Sequence, residues 1–193
     1  MTIIGQESTS TGKGQAAAML LAVLTLAACG SGGDSFARSE TYTSIYSEIG
    51  DATIAVPGSG SATYDGVAQA DFGAFGGTAD ATLTANFDTA TMSGSFTDWS
   101  DLSPETHSLQ GELILVNGDI LADGSFSGEV YGNIERNPLG PNGTTPNFVD
   151  VYAGIGTGQL YDNADGDVAQ IVDGGFSAIG TSSSVSGSFV ARQ

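Results

Sequence analysis

The sequence predicts an all-β fold: a single eight-stranded antiparallel soluble β-barrel that follows an N-terminal export signal and a flexible tether. Apolar and polar residues alternate with period two from about residue 61 onward, and long helical patterns are absent. Turn residues separate the alternating runs. An apolar fraction of 40% supplies a packed core and argues against disorder, despite 29 glycines.

The first 28 residues carry the pattern of an export signal. The apolar stretch Ala16–Leu26 follows Lys13 and is shorter than the about 20 residues that a membrane span requires. It ends at Cys29 with the sequence Leu-Ala-Ala-Cys, which resembles the lipobox of bacterial lipoproteins. The resemblance implies cleavage before Cys29 and conversion of its thiol to a diacylglyceryl thioether with a further N-acyl chain such as palmitate. A chance cysteine in an ordinary signal peptide is the alternative, and a start codon downstream of Met1 would explain the acidic Glu7.

Three segments follow from this interpretation. Residues 1–28 form the lipoprotein signal peptide, residues 29–40 the acylated flexible tether, and residues 41–193 the barrel domain, with its strand core at about 60–191. Cys29 is the only cysteine, so no disulfide can form and a packed core must provide the stability. The segment Thr41–Ile49 fits helical spacing and also alternation, and both interpretations stay open.

Eight strands are predicted in the domain, mostly joined by short connections. They lie near Ala62–Phe72, Asp80–Asp88, Met92–Phe96, Leu109–Val116, Gly124–Gly132, Phe148–Tyr161, Gly175–Ile179 and Val185–Ala191. Turns are predicted at Thr89-Ala90, Asn117-Gly118 and Ala122–Gly124. The segment Ile134–Asn147, which has three prolines and two glycines, is predicted as a long loop; it carries Arg136 and is either a recognition loop or a tolerated insertion.

A weak internal echo supports a strongly curved sheet. The pattern at Met92–Phe96 recurs at Val185–Phe189, and Gly124–Gly128 is a near relative. Glycine on the inward face of a strand relieves crowding where a sheet bends, and eight such strands fit a small closed barrel without exposed edges. A β-sandwich is the alternative.

The predicted outward faces are polar. A barrel that crosses a membrane needs an apolar band there, whereas the outward positions carry Thr82, Thr84, Asn86, Asp88, Ser93, Ser95, Ser125 and Ser127. We therefore expect a water-soluble barrel that its lipid alone holds to the membrane.

The charge balance excludes two classes of partner. The net charge is −18, and the only basic residues after the signal are Arg38, Arg136 and Arg192. Such a field repels nucleic acid and anionic lipid headgroups and favours cations or a basic protein. An acidic surface that merely keeps the protein in solution is the alternative.

Candidate chemistry is sparse. His107, near Glu105 in the polar connection 100–108, is interpreted as a solvated loop histidine, and Gly154–Gly158 as strand glycines because no helix follows to complete a dinucleotide site. The stretch Asp162–Asp167 is interpreted as an acidic turn, because the EF-hand template would place non-ligands at its first and last positions. An irregular calcium loop is the alternative. No catalytic, cofactor-binding or metal-binding residue is predicted, and the lipidated Cys29 is the single site residue.

Several stretches together resemble the barrel domain of transferrin-binding protein B and related bacterial surface lipoproteins. They span about residues 60–191 and include Gly60–Ala68, Ala79–Phe87, Met92–Phe96, Gly124–Gly128, Leu160-Tyr161, Gly174–Phe176 and Val185–Phe189. The resemblance implies an eight-stranded antiparallel barrel on an acylated tether. The segments of that family that bind transferrin have no counterpart here.

The expected function is that of a non-enzymatic binding module, lipid-anchored at the outer membrane or cell surface, for a protein or an iron-related ligand. Gly30 follows the cysteine where an aspartate would signal retention at the inner membrane, which favours the outer membrane. A lipocalin-like carrier of one small ligand is one alternative, since eight strands enclose just enough room. A structural envelope lipoprotein without a diffusible ligand is the other.

Overall fold

A computed structural model describes residues 31–52, 56–102, 107–138, 148–163 and 167–193. Cys29, the signal peptide and Glu105 lie outside these residues. The chain forms one helix and nine strands within the described ranges: α1 (Ser31–Tyr46), β1 (Ile49–Ala52), β2 (Ser61–Asp71), β3 (Gly76–Asn86), β4 (Thr91–Asp101), β5 (His107–Ile120), β6 (Ser125–Pro138), β7 (Phe148–Asn163), β8 (Ile171–Ile179) and β9 (Ser184–Arg192).

Strands β2 to β9 close an eight-stranded antiparallel barrel, as the sequence predicts. Each strand pairs with the next, and β9 returns to pair with β2 from Asp65↔Arg192 to Asp71↔Ser186. The sheet is thus a single closed one and not a sandwich of two. β1 adds a short ninth strand beside β7, where it pairs Ile49 with Asn163 beyond the end of β6.

The predicted turn at Asn117-Gly118 is wrong. Both residues lie inside β5, where Asn117 has a φ of 53° and the register with β6 shifts between Val116 and Asp119. Asn tolerates this left-handed conformation, which makes it a turn signal and equally a signal for a β-bulge. The predicted turn at Ala122–Gly124 is confirmed: the amide of Gly124 donates to the carbonyl of Leu121 at 2.9 Å.

The predicted loop Ile134–Asn147 begins too early. β6 continues to Pro138 and pairs with β5 as far as His107, so Ile134 and Arg136 are strand residues. Ile134 is fully buried, and its apolar side chain continues the inward face of β6. Residues 139–147 lie outside the described residues.

Of the two interpretations of Thr41–Ile49, the helical one is confirmed up to Tyr46, where α1 ends. Tyr42 and Ile45 pack on the outer wall of the barrel against Val67, Ile171 and Val190. α1 begins at Ser31, so much of the segment predicted as a tether is helical, and Arg38 Nε lies 2.7 Å from Asp80 Oδ1 on β3.

Phenylalanine and glycine fill the barrel interior in matched layers. In one layer the neighbours around the wall are Phe126, Gly158, Gly174 and Phe189; in the next they are Gly128, Gly156, Phe176 and Gly187. The rings meet inside, with centroids of Phe96 and Phe189 5.3 Å apart and those of Phe96 and Phe176 5.1 Å apart. The echoed sequence patterns therefore each deliver one ring to the same core.

The outer wall is not polar all round, which corrects one prediction. The outward positions on β3 and β4, such as Thr82 and Ser93, are polar as predicted. On β6, β7 and β8 the wall instead exposes an apolar group, here called the wall patch, which consists of Tyr131, Val149, Val151, Ala153, Ile155 and Ile179. Among the described residues, no helix has the length and apolar character that crossing a membrane would take.

Because the rings in the core pack directly against glycines, adding a single methyl group to one of these glycines should destabilise the barrel. In Gly158→Ala the new Cβ would lie about 2.6 Å from Phe126 Cε1 and 2.7 Å from the Asp173 carbonyl oxygen. We expect the free energy of unfolding in urea to fall by about 1–3 kcal/mol, as in overpacked cores. Gly58→Ala, which meets no atom within 4 Å, is the control and should change it little. Equal stability of the two variants would contradict the packing account.

Candidate functional site

The two ends of the barrel differ. The connections β2–β3, β4–β5, β6–β7 and β8–β9 share one end, here called the loop end. At the opposite end the segment before β8 covers the core: Ala169 is buried, and Tyr64 donates its hydroxyl to the Ala169 carbonyl at 2.8 Å. Burial raises the pKa of Tyr64 to about 12, so the hydroxyl stays protonated and donates this hydrogen bond at any physiological pH. The opposite end is therefore closed by the chain itself.

Aromatic side chains form a continuous contact across the loop end. Phe75, in the β2–β3 connection, stacks on Phe72 with centroids 4.8 Å apart. Phe72 in turn meets Trp99 edge-on at 5.4 Å and lies 6.0 Å from Tyr152. The β2–β3 connection, β4 and β7 are thus joined by one packed group of aromatic rings at this end of the barrel.

A buried carboxylate and an arginine join β4, β6 and the β2–β3 connection at the loop end. Asp101, at the end of β4, is 2% exposed, and its Oδ2 accepts a hydrogen bond from Arg136 Nε at 2.9 Å. The guanidinium also lies over the Phe75 ring, 4.4 Å from its centroid. Arg136 therefore points into the mouth of the barrel, where it joins β6 to β4 and to the β2–β3 connection.

A second buried carboxylate, Asp150 on β7, organises the β8–β9 turn. It accepts hydrogen bonds from both the backbone amides and the hydroxyls of the three successive residues Thr181, Ser182 and Ser183. Tyr152 OH and Ser183 Oγ are 2.7 Å apart, which links the turn to the aromatic contact. Gly180 is required here, since a Cβ on it would lie 2.5 Å from the carboxylate.

The ionised form of Asp150 is strongly favoured. Burial by itself would raise its pKa, but the hydrogen bonds from Thr181, Ser183 and Ser182 outweigh burial and hold the pKa of this carboxyl well below its ordinary value. Because so many donors converge on it, the group is committed to the turn. We assign it a structural role rather than a catalytic one.

A groove opens beside this cluster, between α1, the β2–β3 connection and the start of β9. It encloses about 770 Å³, and Phe75 and Leu102 supply its apolar surface. Its polar surface comes from hydroxyl, amide and carboxylate groups of Ser39, Gln69, Asp71, Ser186 and Ser188. The volume is in the range of ligand-binding sites, and the mixed lining suits a partner with both apolar and hydrogen-bonding groups.

One lining residue carries an unmet hydrogen-bonding group. Thr78 is 1% exposed, and its Oγ1 has no hydrogen-bond partner among the described residues. A buried hydroxyl without a partner costs free energy. Thr78 thus carries an energetic cost that no contact among the described residues offsets.

The candidate residues of the sequence are not brought together. The interpretation of His107 as a loop residue is wrong, because it begins β5 opposite Pro138. Glu105 lies outside the described residues. Gly154, Gly156 and Gly158 are strand residues of β7, as predicted. Cys29, the predicted lipidation site, lies outside the described residues.

The acidic stretch Asp162–Asp167 is described only at its two ends. The Asp167 amide donates to Asn163 Oδ1 at 2.8 Å, and the Ala169 amide donates to Asp162 Oδ1 at 3.1 Å. Within the part of the chain that the structure describes, no group of three or more His, Cys, Asp or Glu side chains is placed to hold a metal ion.

Comparison with known proteins adds no family: no family model matches the chain, and none of the curated proteins matches it significantly. The resemblance to the barrel of transferrin-binding protein B therefore stays a prediction.

Sequence reasoning missed the loop-end cluster. Asp101 and Asp150 resemble the other acids of the chain, and their partners are 35 and about 31 residues away. The one usable signal is Gly180 followed by Thr-Ser-Ser-Ser, a run of hydroxyls whose amides and side chains can surround an anion.

The Asp150 network predicts a specific acid sensitivity. A carboxyl with a lowered folded pKa stabilises the fold fully above its ordinary value near 4 and loses that contribution as pH falls towards the folded pKa. Asp150→Asn should lower the free energy of unfolding at pH 7 by about 2–3 kcal/mol, because it leaves buried donors unmet. In urea titrations, the free energy of unfolding of the wild type should fall towards that of the variant between about pH 4 and 2. Glu40→Gln, on the exposed face of α1, is the control, and a pH-independent gap between Asp150→Asn and wild type would refute the assignment.

Proposed function

We propose that this protein is a lipid-anchored lipoprotein of the outer membrane or cell surface that acts by non-covalent binding of a protein ligand, with the groove at the loop end as the recognition site. The observation that carries the proposal is the filled interior of the barrel. Rings and glycines occupy the volume that a lipocalin-like carrier would leave for a small ligand, so recognition is favoured on the outside. The iron-related part of the expectation rests on the family resemblance alone.

The surroundings of the groove support binding rather than catalysis. Its polar groups are hydroxyls, an amide and the Asp71 carboxylate, and the last already accepts the Gly73 amide at 2.7 Å. Among the described residues, the groove is lined by no histidine and no glutamate that could act as a general base. A set of weak donors and acceptors beside two apolar side chains suits reversible recognition.

The direction of α1 relates the groove to the proposed anchor. Ser39 lies at the groove, Tyr42 OH contacts Ser188 Oγ, and Glu48 pairs with Arg192, so the helix runs alongside β9 away from the loop end. A lipid on Cys29, two residues before α1 begins, would therefore leave the molecule at the loop end. We propose that the groove meets its ligand close to the bilayer.

The anchor is tested by Cys29→Ala. The protein that carries the thioether-linked chains and the N-acyl chain should fractionate with membranes, because two or more acyl chains anchor a protein stably, whereas a single chain binds a membrane only marginally. The variant should incorporate no labelled palmitate and appear folded in the soluble fraction, as judged by circular dichroism. Retention of the unlabelled variant in the membrane fraction would overturn the anchoring proposal.

The groove is tested by blocking it. Ser186→Trp places an indole in the groove at an exposed position, whereas Ser93→Trp places one on the polar wall. We expect wild type and Ser93→Trp to retain the same proteins from the natural surroundings of the cell and Ser186→Trp to lose at least one of them. Native mass spectrometry on the same samples should show no small bound mass. A co-purifying small molecule would favour the carrier, and no retained protein at all would favour the structural role.

A further inference from the structure

The wall patch is contiguous on three neighbouring strands. Ala153 on β7 lies opposite Tyr131 on β6 and Ile179 on β8, and so forms one row across the wall. Val151 and Ile155 flank Ala153 on the same face of β7 and are each 59% exposed, while Ile179 is 76% exposed. Five of the nine large hydrophobic side chains that are exposed among the described residues belong to this patch. Single exposed apolar residues are ordinary, but such clustering marks an interaction surface.

Another apolar part of the outer wall is covered by an element of the same chain. Val67, Ile171 and Val190 also point outward, yet α1 covers them, and each is at most 4% exposed. The wall patch has no such cover from the described elements, since α1 contacts β2, β3, β4 and β9. One apolar part of the wall is thus covered by α1, and the other is left uncovered by the residues that the structure describes.

The charge around the wall patch defines its partner. Glu129 lies directly opposite Ile155, Glu135 opposite Val149, and Glu112 one strand further out beyond Asn133. The arginines of the described chain are engaged elsewhere: Arg38 and Arg192 pair beside α1, and Arg136 pairs with Asp101 at the mouth of the barrel. The apolar row is therefore bordered on its β5–β6 side by carboxylates.

We propose that the wall patch docks a protein segment that presents aliphatic side chains flanked by lysine or arginine. Apolar contact with the row around Ala153 would supply the burial, and the bordering glutamates would select and orient the basic residues. A second copy of this chain is the weaker occupant, because each copy carries a net charge of −18. The wall patch is separate from the groove, and its role does not depend on the function proposed for the groove.

The probe is a synthetic peptide of alternating leucine and lysine, with a peptide of alternating leucine and glutamate of equal length as its counterpart. Binding to the full chain carrying Cys29→Ala is measured by calorimetry, so that no acyl chain competes. We expect the basic peptide to bind and the acidic peptide to give no heat. Added salt should weaken the binding of the basic peptide. Glu129→Gln should weaken this binding several-fold and make it less dependent on salt.

Paired variants separate the wall patch from general stickiness. The double variant Val151→Ser, Ile155→Ser should weaken the binding of the basic peptide at least ten-fold. The double variant Leu121→Ser, Val168→Ser removes two exposed apolar side chains outside the patch and should leave that binding unchanged. All four positions are exposed, and circular dichroism verifies that the variants fold. Equal binding by the two double variants would overturn the proposal, as would equally tight binding of the acidic peptide.

Two further outcomes would assign the patch to another occupant and likewise overturn the proposal. In analytical ultracentrifugation, a dimer of the wild type that the Val151→Ser, Ile155→Ser variant abolishes would identify a second copy. Co-flotation with zwitterionic phosphatidylcholine vesicles that the same variant abolishes would identify a lipid surface. We expect a monomer and no co-flotation.

Discussion

The narrow interior of an eight-stranded barrel is either filled by side chains or left open for one small ligand, and this chain fills it by setting rings against glycines on neighbouring strands. Phe126 and Phe189 border Gly158 and Gly174 within one layer, and Phe176 lies between Gly156 and Gly187 in the next. The high glycine content is thus a packing requirement of the fold and no sign of disorder. The groove and the wall patch both lie outside this filled interior.

The loop end solves a different problem from the core, since four connections must be held at one rim. Two buried carboxylates do this by drawing on distant parts of the chain. Asp101 holds Arg136 and through it the Phe75 ring, while Asp150 gathers the amides and hydroxyls of the β8–β9 turn. Directional hydrogen bonds fix the geometry of a rim in a way that apolar contact, which is non-directional, cannot. The opposite end needs less, because Ala169 and the Tyr64 hydroxyl close it directly.

Period-two alternation was sufficient to predict the eight strands of the barrel, although not the short β1, because one face of each barrel strand is buried. The errors arise where one residue type serves two structures. Asn117-Gly118 suits a hairpin turn and a bulge alike, and the prolines after Arg136 mark the end of β6 without saying how far the strand precedes them. The loop-end carboxylates and the wall patch depend on which strands become neighbours and how they register, and no local pattern carries that information.

The arrangement of charge gives the acidic composition a more specific meaning than solubility. The arginines of the described chain are each paired with a carboxylate and tie α1, β9 and the loop end to the rest of the barrel. Apart from these paired carboxylates and the buried Asp150, the acidic side chains that the structure describes are not buried and have little cationic balance. A partner therefore approaches through a negative field before it contacts the surface. Such a field accelerates the approach of basic proteins and disfavours pairing between copies of the chain. Apolar side chains exposed within that field, as at Val151 and Ile155, can then serve recognition without driving self-association.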